Sequence, residues 1–121
     1  MMKHIFNSKL VDDLFGYWPE FCDARITLFS VSHLPKNVSK ILLTLSYIDS
    51  GQSIGAEIKL EFSRVSSIQL NELMNENVLD QLAIRPLTGE ELEIELTACC
   101  GLVGSFRCEQ AKVINVTPLK S

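Results

Sequence analysis

The sequence predicts a mainly β domain: a curled antiparallel sheet of about six strands, arranged as a sandwich or open barrel, with one short N-terminal helix. Several segments alternate apolar and polar residues with the period of two that is typical of a strand with one wet face. Short stretches rich in Gly, Pro, Asn and Asp separate these segments, as turns do. Long amphipathic helices do not alternate with them, which disfavours a doubly wound parallel sheet.

Composition limits the classes of function. The chain has 121 residues, and we expect a single domain over residues 1–121. Its net charge of −4 argues against nucleic acid or an anionic membrane as the main partner, because both require a basic face. Since no apolar run reaches the ~20 residues of a membrane span, and the N-terminus lacks the apolar stretch of a signal peptide, we expect a cytoplasmic protein.

The predicted elements begin with a helix. Asn7 or Ser8 caps it, and an apolar stripe continues to about Phe15. Gly16 then suits the left-handed residue that ends many helices, and Pro19 prevents any continuation.

The strands follow in order, with a bulge expected in the first one and a change of pattern after Arg64. We predict turns at 34–37, 49–53, 86–89 and 101–104, and a polar connection at 71–77. The predicted strands are Asp23–His33, Val38–Ile48, Ala56–Ser63, Val78–Arg85, Leu92–Ala98 and Phe106–Val116.

The most informative segment is 15–24, where the predicted helix meets the first strand. It holds four of the nine aromatic residues (six Phe, two Tyr and one Trp), including Tyr17 and Trp18. Aromatic residues this dense on a connection indicate either a hydrophobic plug or a contact surface. The carboxylates Glu20 and Asp23 flank this corner, and we expect them to serve structure or an interface rather than acid–base catalysis.

Acidic residues form the second candidate surface. Glu57 and Glu61 share the polar face of one predicted strand, and Glu91, Glu93 and Glu95 share that of another. If the two strands are neighbours, Lys59 is the lone cation among five carboxylates. This pattern is typical of a solvated face, or of a negative surface that steers a basic protein partner.

We find no signature of catalysis, of a metal site or of a cofactor in the sequence. The four cysteines, Cys22, Cys99, Cys100 and Cys108, do not have the spacing of a zinc site, and we interpret them as small buried thiols. Neither histidine belongs to a recognisable nucleophile–base pattern. The short loop at 101–104 precedes a predicted strand, so it indicates a tight bend rather than a phosphate cradle.

Two segments together resemble a known family. Phe15-Gly16-Tyr17-Trp18-Pro19-Glu20-Phe21-Cys22-Asp23-Ala24 is similar to the FG-W-P-FHDAE opening of the immunity protein 50 family of bacterial polymorphic toxin systems. The run Gly101-Leu102-Val103-Gly104-Ser105-Phe106-Arg107-Cys108-Glu109 is similar to its G-GSF-C segment. The chain departs from the family pattern at Cys22, where His is usual, and at Arg25, where an acid is frequent.

The resemblance implies a non-enzymatic immunity protein that neutralises a cognate toxin domain by protein–protein contact, without a cofactor. The alternative is a small-ligand or carbohydrate-binding β module. The resemblance also marks a set of partner-binding or family-motif residues: Tyr17, Trp18, Glu20, Asp23, Gly101, Gly104, Phe106, Arg107 and Glu109.

Overall fold

The structure, a computed structural model, describes residues 4–35 and 38–119 and shows a mainly β protein, as predicted. Nine strands of the described ranges form one curled, mixed sheet that does not close. The elements are β1 (Ile5–Phe6), α1 (Lys9–Phe15), β2 (Arg25–Leu34), β3 (Val38–Asp49), β4 (Ile54–Ser63), β5 (Ser66–Asn71), β6 (Val78–Pro86), β7 (Leu92–Cys100), β8 (Val103–Cys108) and β9 (Gln110–Pro118). Their order across the sheet is β1-β9-β4-β3-β2-β6-β7-β8-β5.

The sheet consists of two halves. The first half-sheet is β1-β9-β4-β3-β2, and the second half-sheet is β6-β7-β8-β5. They join through a single residue pair between β2 and β6, Arg25 with Val78. The chain also crosses from one half to the other between β4 and β5 at Arg64, whose φ is +54°, and between β8 and β9 at Glu109.

These crossings turn the apolar faces of the two halves toward each other. Phe62 of β4 meets Phe106 of β8 edge to face, with ring centroids 5.2 Å apart. Both rings are buried in the core. Because side chains alternate along a strand, the polar residues of each half then point outward on opposite sides of the molecule.

The helix prediction is confirmed, except that Ser8, the residue at the N-cap position, makes no side-chain capping hydrogen bond. The helix α1 begins after Ser8 and ends before Gly16, whose φ of +85° is the left-handed conformation expected there. The N–H of Gly16 donates to the carbonyl of Asp12 at 2.7 Å. Val11 and Phe15 are buried, so this short helix is held by packing more than by its own propensity.

The described residues form nine strands where about six were predicted, because β1 (Ile5–Phe6) and β5 were not predicted and one predicted strand is two. The predicted strand Phe106–Val116 is two strands, since the chain changes halves at Glu109. Ser66–Asn71 is a strand of its own that pairs with β8. Gly104 lies within β8 and not in the preceding bend. The bulge in the first strand is confirmed between Ile26 and Leu28, whereas the 34–37 turn extends outside the described residues.

The acidic stripes do not form one surface. Three strands, β3, β2 and β6, separate β4 from β7, and the two stripes lie on opposite outer sides of the halves. The condition under which Lys59 would be the lone cation among five carboxylates, that the two strands are neighbours, is therefore not met. Lys40 lies 3.6 Å from Glu61, which shows that the stripe on β4 has a cation of its own from the neighbouring strand.

Candidate functional site

The aromatic corner is built on a stack of three rings. Phe15 and Phe21 are buried, and each meets the ring of Tyr47 edge to face, with centroids 5.4 and 5.3 Å apart. Phe21 adopts a φ of +63°, which is uncommon for a bulky residue. The inner part of the corner is therefore a plug that closes the core at this end of the first half-sheet.

Tyr17 fastens the corner to the turn after β3. Its hydroxyl donates to Asp49 Oδ2 at 2.7 Å, and Gln52 Nε2 donates to the same oxygen at 2.7 Å. Gln52 Nε2 also donates to the carbonyl of Phe15 at 2.8 Å, which ties the helix end to the turn. The donors on Gln52 and Tyr17 hold the pKa of Asp49 below its ordinary value. Hydrogen bonding with Tyr47 and Asp49 raises the pKa of Tyr17, so the phenol stays protonated as a donor.

The chain segment 20–24 continues as a strap along β6. The N–H of Leu82 donates to the carbonyl of Glu20 at 2.9 Å, and the N–H of Asp23 donates to the carbonyl of Leu79 at 2.8 Å. The N–H of Leu79 donates in turn to the carbonyl of Ala24 at 2.8 Å. The strap holds Asp23 at a φ of +67°, a conformation that persists only where its surroundings impose it.

Trp18 stands where the strap begins. Its indole is partly buried and meets Phe21 edge to face, with centroids 5.7 Å apart. It also borders an open groove of about 360 Å³, here called the Trp18 groove. The groove is lined by Trp18, Pro19, Glu20, Gln81, Leu82, Ala83, Ile84 and Arg85. Trp18 thus belongs both to the hydrophobic plug and to an accessible surface, the two alternatives that the sequence left open.

The Trp18 groove continues onto a polar face. Register pairs place Arg85 beside Glu93 and Glu93 beside Arg107 on the outer side of the second half-sheet. Arg85 Nη2 lies 2.9 Å from Glu93 Oε1 and 3.1 Å from Glu95 Oε1, and these bonds raise the pKa of Arg85. A second groove of about 220 Å³ crosses this face. Its lining is Ser67, Gln69, Glu93, Ser105 and Arg107.

The stripe Glu91, Glu93 and Glu95 is therefore a mixed surface and not a uniformly negative one. Arg85 bridges two of the carboxylates, and Arg107 Nη1 lies 3.7 Å from Glu91 Oε1. All of these side chains remain at least partly exposed. Such a face offers donors and acceptors in fixed positions, which favours specific recognition over simple attraction of a basic partner.

The remaining motif residues lie away from Trp18 and have structural surroundings. Gly101 is buried with a φ of +87°, and a methyl group there would overlap Asn77 Oδ1. Gly104, with a φ of +133°, is so close to Gln69 that a methyl group would overlap the carbonyl oxygen of that residue. Phe106 belongs to the core, and the carboxylate of Glu109 lies 3.3 Å from Arg64 Nε at the crossing between halves.

A buried residue that sequence reasoning missed is Asn77. Its Oδ1 accepts from the N–H of Leu102 at 2.9 Å and from the N–H of Met74 at 3.1 Å. Its Nδ2 donates to the carbonyl of Met74 at 2.9 Å. Asn77 thus joins the connection before β6 to the turn before β8. The available signal was an Asn at the end of a polar connection, immediately before a predicted strand, because such residues often hydrogen-bond to nearby backbone groups.

The prediction of small buried thiols is wrong for three of the four cysteines. Cys22, Cys99 and Cys100 are exposed because they lie in a turn and at the end of β7, beyond the core, whereas Cys108 is buried. Burial raises the pKa of Cys108 to about 12. The carboxylate of Asp23 raises the pKa of Cys22, and desolvation followed by the same carboxylate raises that of Cys99.

Neither a metal-binding cluster nor a membrane-spanning helix occurs in the described residues. Within 4–35 and 38–119, no group of three or more His, Cys, Asp or Glu side chains is arranged to hold a metal ion. No helix in those ranges is long and apolar enough to cross a membrane.

Comparison of the chain with protein-family models, with curated proteins and with solved structures gave no match. The similarity to the immunity protein 50 family consequently remains a prediction from the two quoted segments.

Proposed function

We propose that this protein is a non-enzymatic immunity protein, which binds a cognate toxin domain in the cytoplasm of the producing cell and blocks its action. The docking face in this proposal comprises the Trp18 groove and the adjoining polar face of the second half-sheet. The observation that carries it is the placement of Trp18 between plug and groove, next to exposed Glu20 and Arg85.

The composition of this face fits protein recognition. Trp, Tyr and Arg are the residue types that most often dominate binding energy when they lie at the centre of an interface. Trp18 is already ordered by its contact with Phe21, so binding costs little of its side-chain entropy. Arg85 and Arg107 are likewise oriented by carboxylates before a partner arrives.

The dimensions of the face also suit a protein partner. Two strands of nine residues and two of six, spaced about 4.8 Å apart with about 3.3 Å per residue, give a projected area of roughly 480 Å². The relief of the side chains and the Trp18 rim add to this area. The projected area alone is somewhat more than half of the ~800 Å² of accessible surface that each partner buries in a stable complex.

Three of the four thiols are poorly suited to nucleophilic catalysis. A nucleophilic cysteine requires a lowered pKa, yet the pKa values of Cys22, Cys99 and Cys108 are all raised. Asp23, the carboxylate nearest to the two exposed thiols of this set, disfavours the thiolate that catalysis needs.

The proposal is tested with the toxin-type protein encoded beside the gene for this chain. Co-expression is expected to restore growth to cells that produce the toxin, and the purified proteins are expected to form a complex in calorimetry. Glu20→Lys, at an exposed position of the groove, is expected to weaken binding at least tenfold. Phe6→Ala removes an aromatic side chain that is 62% exposed on β1, and serves as a control for a change outside the docking face.

Two results would reject the proposal. One is a toxin that remains fully active in the presence of excess wild-type protein. The other is equal loss of binding in the Glu20 variant and the Phe6 control, because the docking face would then have no special role.

A second candidate function is carbohydrate or small-ligand binding, which the hydroxyl and amide lining of the second groove favours. Ser67, Gln69 and Ser105 present polar atoms beside the charged pair Glu93 and Arg107. Saccharides are bound by such sets of donors and acceptors, commonly with an aromatic ring nearby. A glycan-array screen that gives a hit abolished by Gln69→Ala, with toxin binding absent, would favour this function over the first.

A further inference from the structure

One long edge of the sheet is unpaired along most of its length. β2 pairs with β3 from Arg25 to Leu34 on one side, but on the other side it pairs with β6 only at Arg25. From Leu28 to Leu34, the backbone on that second side meets no strand within the described ranges. The edge is open because β6 is antiparallel to β2 and begins at Val78, opposite Arg25, so that β6 runs away from Leu28–Leu34.

This edge lacks the devices that normally block strand addition. Proteins protect exposed edges with lysine, proline, inward charges or bulges. The stretch Leu28–Leu34 contains no Lys, Arg, Asp, Glu or Pro, and the bulge of β2 precedes it. Leu28, Val31 and Leu34 are 46%, 39% and 41% exposed, so apolar side chains accompany the open backbone.

The stretch is also close to a palindrome. It reads Leu-Phe-Ser-Val-Ser-His-Leu, and Val31 is its centre. If two copies of this strand pair antiparallel about Val31, Val31 faces itself and Ser30 faces Ser32 of the partner subunit. Leu28 then faces Leu34 of the partner subunit, and Phe29 faces His33 of the partner subunit. A two-fold interface requires this self-complementarity, because the same patch serves both subunits.

We propose that β2 is a self-association edge, at which two copies of this chain pair antiparallel about Val31. The two first half-sheets then form a continuous ten-stranded sheet, with the two β2 strands at its centre. This inference goes beyond the proposed function, since the docking face belongs to the second half-sheet and stays open in the pair.

A second copy fits this edge better than a strand of a different protein does. In the proposed register each leucine faces a leucine, Val31 faces Val31, Phe29 faces the imidazole of the partner's His33, and each serine faces a serine. The protein carries a net charge of −4, but the pairing stretch carries no acidic or basic residue apart from His33, so like-charge repulsion is kept away from the contact. One strand pair is a small interface, and we therefore expect a reversible, concentration-dependent dimer.

Sedimentation velocity of the full chain, from about 5 to about 500 µM, tests the proposal, because small interfaces dissociate on dilution. The wild-type protein is expected to shift from monomer to dimer across this range. The double variant S30K/S32K places lysine opposite lysine in the proposed register, and S30E/S32E places glutamate opposite glutamate. Each alone is expected to remain monomeric, and an equimolar mixture of the two is expected to restore the dimer through opposite charges.

The matched control is T97K/T117K, which adds the same charge at exposed positions on β7 and β9. It is expected to dimerise like the wild type. Circular dichroism establishes that each variant is folded; if a double variant is not, the single variants V31K and V31E replace it, because the exposed Val31 faces itself in the proposed register. A wild-type protein that is monomeric at the highest concentration, or a mixture that stays monomeric when both variants are folded, overturns the proposal. Neither result bears on toxin binding, which is measured separately.

Discussion

Replacing Asn77 with alanine is expected to destabilise the fold substantially. The change leaves the N–H of Leu102 without its acceptor, and Leu102 is only 2% exposed. An unpaired buried donor costs about 2 kcal/mol. The two bonds to Met74 lie at a more exposed place, where water replaces them, and their loss adds about 1 kcal/mol.

The expected loss is therefore about 3 kcal/mol of the free energy of unfolding, which is a large part of the stability of a domain of this size. With an unfolding entropy of about 2.1 cal/mol/K per residue, a chain of 121 residues loses about 4 °C of Tm per kcal/mol. The melting temperature is expected to fall by about 12 °C.

Urea unfolding followed by circular dichroism measures the change directly. The Asn77→Asp variant keeps oxygen acceptors for Leu102 and Met74 but loses the amide donor, so its loss of stability is expected to be smaller than that of Asn77→Ala. Asn75→Ala, at an exposed position of the same connection, is the control and is expected to change stability by less than about 0.5 kcal/mol. A loss below about 1 kcal/mol for Asn77→Ala would refute the reasoning that this amide is a structural link.

Three further predictions concern other parts of the fold. Gly104→Ala forces a side chain into a left-handed backbone against the carbonyl of Gln69, and limited proteolysis is expected to show that β5 detaches from β8; unchanged protection would contradict this account. The folded-state pKa of Asp49 is lowered, so the contribution of this carboxylate to stability is present above its unfolded pKa and is lost as the pH falls through the folded pKa. The difference in stability between the wild type and Asp49→Asn, measured by thermal melts, is therefore expected to vanish at acidic pH. A difference that stays constant with pH would count against the link to Tyr17. A thiol reagent is expected to modify the three exposed cysteines in the folded protein and Cys108 only on unfolding, and modification of all four thiols before unfolding would show that the core around Cys108 opens readily.

The short-range features of the fold follow from the order of residues alone. The helix from Lys9 to Phe15 is defined by an apolar stripe and by Gly16, all within a few positions of each other. The alternating strands β4 and β7 are defined in the same way, because a residue and its second neighbour share one face. The aromatic density of segment 15–24 likewise indicated an important corner before any contact was known.

The tertiary structure decided which of these elements meet. Ile5 pairs with Ala111, and β5 pairs with β8, through contacts between residues far apart in the chain. The sequence around Glu109 reads as one continuous strand. Only the structure shows that the chain crosses between the two half-sheets at Glu109, which divides the predicted strand into β8 and β9. A period of two carries no information about which strand lies beside another, and for that reason the sequence left open whether the two acidic stripes are neighbours.

The sequence by itself determined the β class, the helix and the aromatic corner, because these depend on neighbours within one turn or one strand. Only the tertiary structure revealed the buried link of Asn77, the Trp18 groove and the open side of β2. Burial and pairing depend on the summed contacts of the whole chain, and the same local pattern is compatible with several such arrangements.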